Sequence, residues 1–272
     1  MIEWRHWHNE PYLVGGLIFL GWLYAILAGP LRHRLAPGTA YPVAAAVKFY
    51  AALVIFYLAV GSPLDQIGER FLFSAHMLQH QLLAYPAAIL FLLGLPHWMI
   101  DGVLDRPGLR GVVRVAFHPV ICGLVYTVVI GVWHSPQLYD WALRDKLVHV
   151  LEHLMFFGAS LFYWWPQLSP SRVVPRISYA SQMLYQLGVV IGMTPLFAYI
   201  TFSTEILYPT SEFAPRLVAD FTAGEDQLLA GTMMKLGGLM VAVAAIGVSF
   251  YRWFQQNEQA GGKRAVTSHP SG

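Results

Sequence analysis

Apolar residues along this chain come in long unbroken runs, with polar residues gathered in short intervals between them. Seven runs stand out, at about 12–29, 43–60, 71–95, 112–133, 147–166, 178–202 and 227–253. A helix needs ~20 mostly apolar residues to cross a hydrocarbon core of about 30 Å, because each residue rises about 1.5 Å. The runs meet that length. Membrane barrels instead show short strands of period-two alternation, which these runs lack. The pattern predicts an all-α integral membrane protein with seven transmembrane helices over residues 1–256. Residues 257–272 are polar and Gly-containing, and are expected to form a disordered cytoplasmic tail. The loop at about 203–226 is acidic, carries Pro209 and Pro215, and is long enough to cover one face of the bundle.

Composition sharpens this picture. Of 272 residues, 56% are hydrophobic and only 12% charged, against about 25% charged in soluble domains. That excludes both a soluble globular chain and a disordered one. A net charge of +2 makes no case for nucleic acid. The single cysteine, Cys122, excludes an intrachain disulfide framework and every CxxC motif.

Basic residues set the expected orientation. Loops one, three and five and the tail hold ten: Arg32, Arg34, Arg106, Arg110, Arg114, Arg172, Arg176, Arg252, Lys263 and Arg264. The opposite side holds five: Arg5, Arg70, Arg144, Lys146 and Arg216. The N-terminus is therefore expected outside and the C-terminus in the cytoplasm. The first eleven residues carry Glu3, Arg5 and Glu10 and do not resemble a secretory signal. The first run reads as an uncleaved anchor.

Eleven histidines are unevenly placed. His33, His97, His118 and His269 fall on the cytoplasmic side, and His6 and His8 in the N-terminal segment. In the third run, His76-Met-Leu-Gln-His80 puts two imidazoles on one helical face at i and i+4. The fifth run repeats this with His149-Val-Leu-Glu152-His153. Both pairs lie near the outer end of their helices, and His134 ends the fourth run at similar depth. A pair at this spacing can occupy two neighbouring coordination positions, and a second helix can close the shell. Imidazole suits copper, zinc and iron, and thioether sulfur favours Cu(I). Met77, Met193, Met233 and Met234 are available at that level. A lone buried histidine is ordinarily a hydrogen-bonded core residue, and methionines ordinarily fill gaps. Two matched pairs in so apolar a chain favour a metal role for His76, His80, His149 and His153, because polar groups within membrane helices are costly and usually functional.

Glu152 lies beside the second pair and is expected to hold a proton, accept a bond from an imidazole or support a ligand. The run His149–His153 also fits the H-x-x-E-H pattern of inverted zincins, which would leave His76 and His80 without a role. Lys235, about eight residues into the seventh run, is expected to pair with Asp65, Asp226 or Glu152, or to line a polar cavity. Pro86 and Pro195 fall inside helices, where each removes a backbone bond.

In this order and spacing the motifs resemble the CtaG-type cytochrome c oxidase assembly factors of bacteria. They are Ser62-Pro-Leu-Asp65, His76-Met-Leu-Gln-His80, Trp133-His134-Ser-Pro136, His149-Val-Leu-Glu-His153 before Trp164-Trp165-Pro166, and Asp226-Gln-Leu-Leu-Ala-Gly231 before Met234. Lys235 departs from the pattern, where tryptophan is expected. The resemblance implies a non-enzymatic, multi-pass protein of the bacterial inner (plasma) membrane that helps deliver copper to the oxidase catalytic subunit, with other copper chaperones as further partners. On that reading His76, His80, His149, His153 and His134 hold copper. Met233 and Met234 assist, and Met77, Glu152, Asp65, Asp226 and Lys235 lie behind the ligands or at the entry. Zinc fits the same residues. Two other readings stand beside it: a copper transporter, for which only His118 and Cys122 offer inner ligands, and a haem-binding membrane redox protein with one axial histidine from each pair.

Overall fold

The structure, a computed structural model, describes Trp7, residues 10–217 and residues 219–267, with side chains through Ala260. His6, His8 and His269 lie outside the described residues. All regular elements among the described residues are helical. They are α1 (Pro11–Ala28), α2 (Arg32–Leu35), α3 (Val43–Val60), α4 (Pro63–Arg70), α5 (Phe73–Leu82), a π-helical turn (Leu83–Ala87) and α6 (Ala88–Leu93). Then come α7 (His97–Leu104), α8 (Leu109–Ala116), α9 (Pro119–Trp133), α10 (Pro136–Arg144) and α11 (Lys146–Leu168). The last are α12 (Tyr179–Phe202), α13 (Pro209–Glu212) and α14 (Ala223–Thr267).

Five helices, α1, α3, α11, α12 and α14, are each long and apolar enough to cross a membrane. The number rises to seven if two bent pairs each count as one span. The first bent pair joins α5–α6 to α7 at 90°, and the second joins α8 to α9 at 64°. The expected run 112–133 is thus broken near His118. A residue before proline is pushed out of the helical region, and His118, before Pro119, is extended at φ −63°, ψ 135°. Its imidazole then caps α9 by accepting from Val120 N–H at 3.4 Å.

Pro86 has a clear local effect, whereas α12 runs unbroken past Pro195. Proline supplies no N–H to the helical ladder, and the chain around Pro86 widens into the π-turn. The Ala84 carbonyl then accepts from the indole N–H of Trp164 at 2.9 Å, tying this helix to α11. Helix α14 continues through Thr267, into the segment expected to be a disordered tail. Gln255, Gln256, Glu258 and Ala260 are good helix formers and extend it by propensity.

The main apolar core is built by α6, α9, α11 and α12 around Tyr126, Ile130, Phe156, Tyr163 and Trp164. A smaller cluster joins α1 to α3, where Tyr24 stacks on Phe49 with ring centroids 4.2 Å apart. Tyr24 also donates to the Gly94 carbonyl at 3.0 Å. Gly94 meets α3 backbone to backbone: a Cβ there would lie 2.6 Å from Phe49 N and 2.7 Å from Phe49 Cα. Backbone cannot give way as a side-chain end can. Gly94→Ala is therefore expected to destabilise the bundle by about 1–3 kcal/mol, read as a lowered midpoint of thermal unfolding in detergent.

Candidate metal centre

Helices α5 and α11 bring the two histidine pairs face to face. Their ring centroids lie 4.4 Å apart for His76–His80 and 4.3 Å for His149–His153, the i, i+4 neighbours. Across the helices they lie 5.4 Å apart for His76–His149, 5.9 Å for His76–His153 and 5.6 Å for His80–His153. Glu152 sits between the helices, fully buried. Its carboxylate oxygens are 3.6 Å from His76 Nε2 and 3.8 Å from His80 Nε2. One ligand atom from each of His76, His149, Glu152 and His153 fits within a mutual separation of 4.8 Å. Metal ligation needs bonds of about 2.0–2.2 Å to imidazole and carboxylate, so modest side-chain adjustment closes this set around one ion.

The polar atoms of this cluster are orphaned within the chain. Both ring nitrogens of His76 and His80, Nε2 of His134, His149 and His153, and both oxygens of Glu152 are buried without a hydrogen bond. An unsatisfied buried polar group costs about 1–3 kcal/mol. Such a concentration in one place is what a binding site carries and a packed core avoids. The donor set, imidazole nitrogen with one carboxylate, fits a copper or zinc ion.

Two of the rings are oriented from behind. His149 Nδ1 bonds Glu69 Oε1 at 2.6 Å, and His134 Nδ1 bonds the Ile130 carbonyl at 2.7 Å. The Glu69 oxygen and the Ile130 carbonyl accept, so each Nδ1 is the N–H and each Nε2 is the nitrogen left for ligation. This is the carboxylate– or carbonyl–histidine device that fixes the tautomer for ligation. Glu69 was not singled out from the sequence. Its signal was present: it follows Asp65 by four residues on α4, so the two carboxylates share a helical face. Asp65, Glu69 and His149 form a second group that could hold an ion.

The framework that holds α5 in place is also polar. Asp226 of α14 accepts from Phe73 N–H at 2.7 Å and Ser74 N–H at 3.0 Å. It thus caps the start of α5, the helix that carries His76, from another helix. Gln79 donates to Asp65 at 2.7 Å and to the Ala59 carbonyl at 2.8 Å, fixing α4 over α5. Gly68 allows that approach, since a Cβ would sit 3.0 Å from His76 Cα.

An aromatic layer covers His76. Tyr139 of α10 meets the His76 ring edge-on at 5.2 Å, and Phe73, Tyr139 and Tyr208 pack within 4.5–5.2 Å of one another. Tyr208 comes from the long loop before α14 and donates to the His134 carbonyl at 3.0 Å. Burial pushes both phenols well above the usual tyrosine range, so they stay neutral. The loop expected to cover one face of the bundle does contribute this layer, through Tyr208.

The other expected residues divide. His134 lies 6.0 Å from His80 by ring centroids, and Met234 lines a cavity of about 20 Å³ with His80 and His134. Met233 is partly buried against the aromatic layer, and Met77 is fully buried within it. Met193 belongs to the main apolar core. Lys235 is not among the grouped ligands: its ammonium donates to Thr194 Oγ1 at 2.7 Å. It lines a neighbouring cavity of about 30 Å³ with Tyr85, Tyr126 and Tyr163.

These features define a multi-pass helical membrane protein with a buried histidine–carboxylate centre at one end of its bundle. The chain belongs to the cytochrome c oxidase caa3 assembly factor family (Caa3_CtaG), whose model matches residues 22–256. This is the family that the motifs resemble. No curated protein and no solved structure matches the chain at a significant level.

Because Asp226 satisfies two buried backbone donors, Asp226→Ala is expected to cost about 2–4 kcal/mol. It should also loosen the start of α5, which carries His76. Thermal unfolding in detergent checks the first effect, and the near-ultraviolet circular dichroism of the Phe73–Tyr139–Tyr208 layer checks the second.

Proposed function

We propose that this assembly factor binds copper at the histidine–carboxylate cluster and passes it to the catalytic subunit of the oxidase. The observation that carries the reading is the convergence of His76, His149, His153 and Glu152, with their ligand atoms orphaned and within 4.8 Å of one another. His80 and His134 extend the cluster toward Met234, adding a softer ligand that favours Cu(I). The basic loops support placing the cluster at the outer side of a bacterial plasma membrane, with the C-terminus in the cytoplasm. Copper is cargo on this reading and the protein is not an enzyme. Neutral imidazoles and one carboxylate hold the ion, and the partner's ligands replace them one at a time. Glu69 holds the His149 ring in its ligating tautomer throughout.

Two features favour this over the alternatives. The space between the two histidine pairs is taken by the Glu152 carboxylate, 3.6 and 3.8 Å from His76 and His80 Nε2, which suits an ion and leaves no slot there for a porphyrin plane. On the arginine-rich side the sequence offers few ligands for a transport route, and Cys122 there is a lone buried thiol.

Purified protein is expected to carry copper, and His76→Ala combined with His153→Ala to lose it, with loss of assembled oxidase activity in cells that depend on the variant. Copper content that is at background in the unaltered protein, or unchanged in the double variant, overturns the reading. Glu69→Gln keeps the size of the side chain but removes the charge behind His149. It should lower metal affinity about 10–100-fold while leaving the unfolding midpoint nearly unchanged, as measured by competition with a calibrated copper chelator.

A further inference from the structure

Helices α7 and α8 leave their neighbours sharply, at the end of the bundle away from the histidine cluster. α7 turns 90° from α5–α6, and α8 meets α9 at 64°. From that second bend, the 15 residues of α9 lead to His134 at the cluster, a rise of about 22 Å. A hydrocarbon core is about 30 Å thick, so α8 lies across the bundle axis near the boundary of acyl chains and headgroups. Its residues divide into three faces. Val113 and Leu109 pack inward, with Ile100 and Leu104 of α7 and Val173 and Val174 of the α11–α12 loop in the same apolar core. Val112 and Val115 are 62% and 63% exposed. Arg110 and Arg114, also exposed, lie about 150° around the helix from those two valines. An apolar face opposite a basic one is the pattern of a helix lying in the plane of a membrane surface.

We propose that this end of the bundle binds the headgroup phosphates of anionic phospholipid through Arg106, Arg114 and Arg172, with Val112 and Val115 set among the acyl chains. All three arginines are exposed. Arg110 is paired with Asp105 at 3.4 Å, but no ion pair among the described residues involves Arg106, Arg114 or Arg172. Asp101 of α7 is engaged elsewhere: it accepts from Ser171 Oγ at 2.5 Å and from the Arg172 backbone N–H at 3.1 Å, and it faces His97 at 3.7 Å. Those bonds pin the α11–α12 loop to α7, and so hold Arg172 at the same end as α8. Between α7 and α8 the chain turns at Gly108, φ +84°, a left-handed conformation that favours glycine. Guanidinium groups bind phosphate through paired N–H donors, and their stems reach the headgroup level from an apolar surface. An acidic protein segment would answer the arginines and leave Val112 and Val115 uncovered. A phospholipid answers both faces, because its phosphate and its acyl chains lie at the two depths that they occupy. The proposal rests on the chain spanning a membrane and not on the metal reading.

The test titrates the full chain in detergent with phosphatidylglycerol and, separately, with phosphatidylcholine of the same acyl chains, counting bound lipid by native mass spectrometry. Phosphatidylglycerol is expected to bind about ten-fold or more tightly than phosphatidylcholine. Each of Arg106→Gln, Arg114→Gln and Arg172→Gln should weaken it about five-fold, the worth of one basic residue at an anionic surface. Arg144→Gln, on α10 at the cluster end, should leave it unchanged. A second measurement places α8 by depth: nitroxides on Val112→Cys and Arg114→Cys are compared in vesicles containing phosphatidylglycerol. The Val112 label should collide more with dissolved oxygen than with a water-soluble nickel chelate, and the Arg114 label the reverse. Equal affinity for the two lipids, an equal loss in Arg144→Gln, or displacement of phosphatidylglycerol by inorganic phosphate overturns the proposal. So does a Val112 label that faces water, which leaves an acidic soluble partner as the occupant. None of these outcomes alters the copper content of the unaltered chain, so this inference and the metal reading fail separately.

Discussion

A fully buried carboxylate inside a helical bundle is the constraint around which this molecule is arranged. Glu152 has imidazoles from α5 at 3.6 and 3.8 Å and its own helix's histidines on either side. A bare charge in an interior of low polarity costs several kcal/mol unless it is compensated. The groups set around it here are nitrogen bases, with the ligand atoms of His76, His149 and His153 within 4.8 Å of one another and of the carboxylate. The histidine pairs of α5 and α11 face each other across that carboxylate.

The cluster is held by polar restraints placed one layer further out. Asp226 fixes the start of α5, Gln79 ties α5 to Asp65 and Ala59, and Glu69 and the Ile130 carbonyl orient His149 and His134. Asp226 and Glu69 act across 153 and 80 residues of chain, whereas the Ile130 carbonyl is four residues from His134. Their sum is a preorganised set of lone pairs in a site closed above by Phe73, Tyr139 and Tyr208. Preorganisation of this kind means that the cost of ordering these groups is met in folding and not on binding.

Rigidity is unevenly distributed. The face formed by α9, α11, α12 and α14 is bound by large aromatic contacts and by indole and phenol hydrogen bonds such as Trp164 to Ala84 and Tyr163 to Gln186. On the opposite face α1 rests on α3 through a few residues around Tyr24 and Tyr50. His149 and His153 border a crevice on this looser side.

Long apolar runs, matched histidine pairs and the order of the short motifs were legible in the sequence, and they led to the helical class, the principal ligand candidates and the family. They are legible because helix length, i, i+4 spacing and burial of apolar residues are local properties of the chain. What each polar residue does was decided only by tertiary structure. Asp65 and Asp226 share a motif neighbourhood with apparent ligands, yet Asp226 caps a helix about 150 residues away in the chain. Lys235 turned to Thr194, and Met77 joined an aromatic layer. Glu69 gained its place only because α4 folds back over α5, which brings its carboxylate to His149 of α11. The break before Pro119 could have been read locally, but its angle could not. Spacing along a chain determines which side chains share a helical face; which faces meet, and so which lone pairs converge, depends on packing between helices that no single segment encodes.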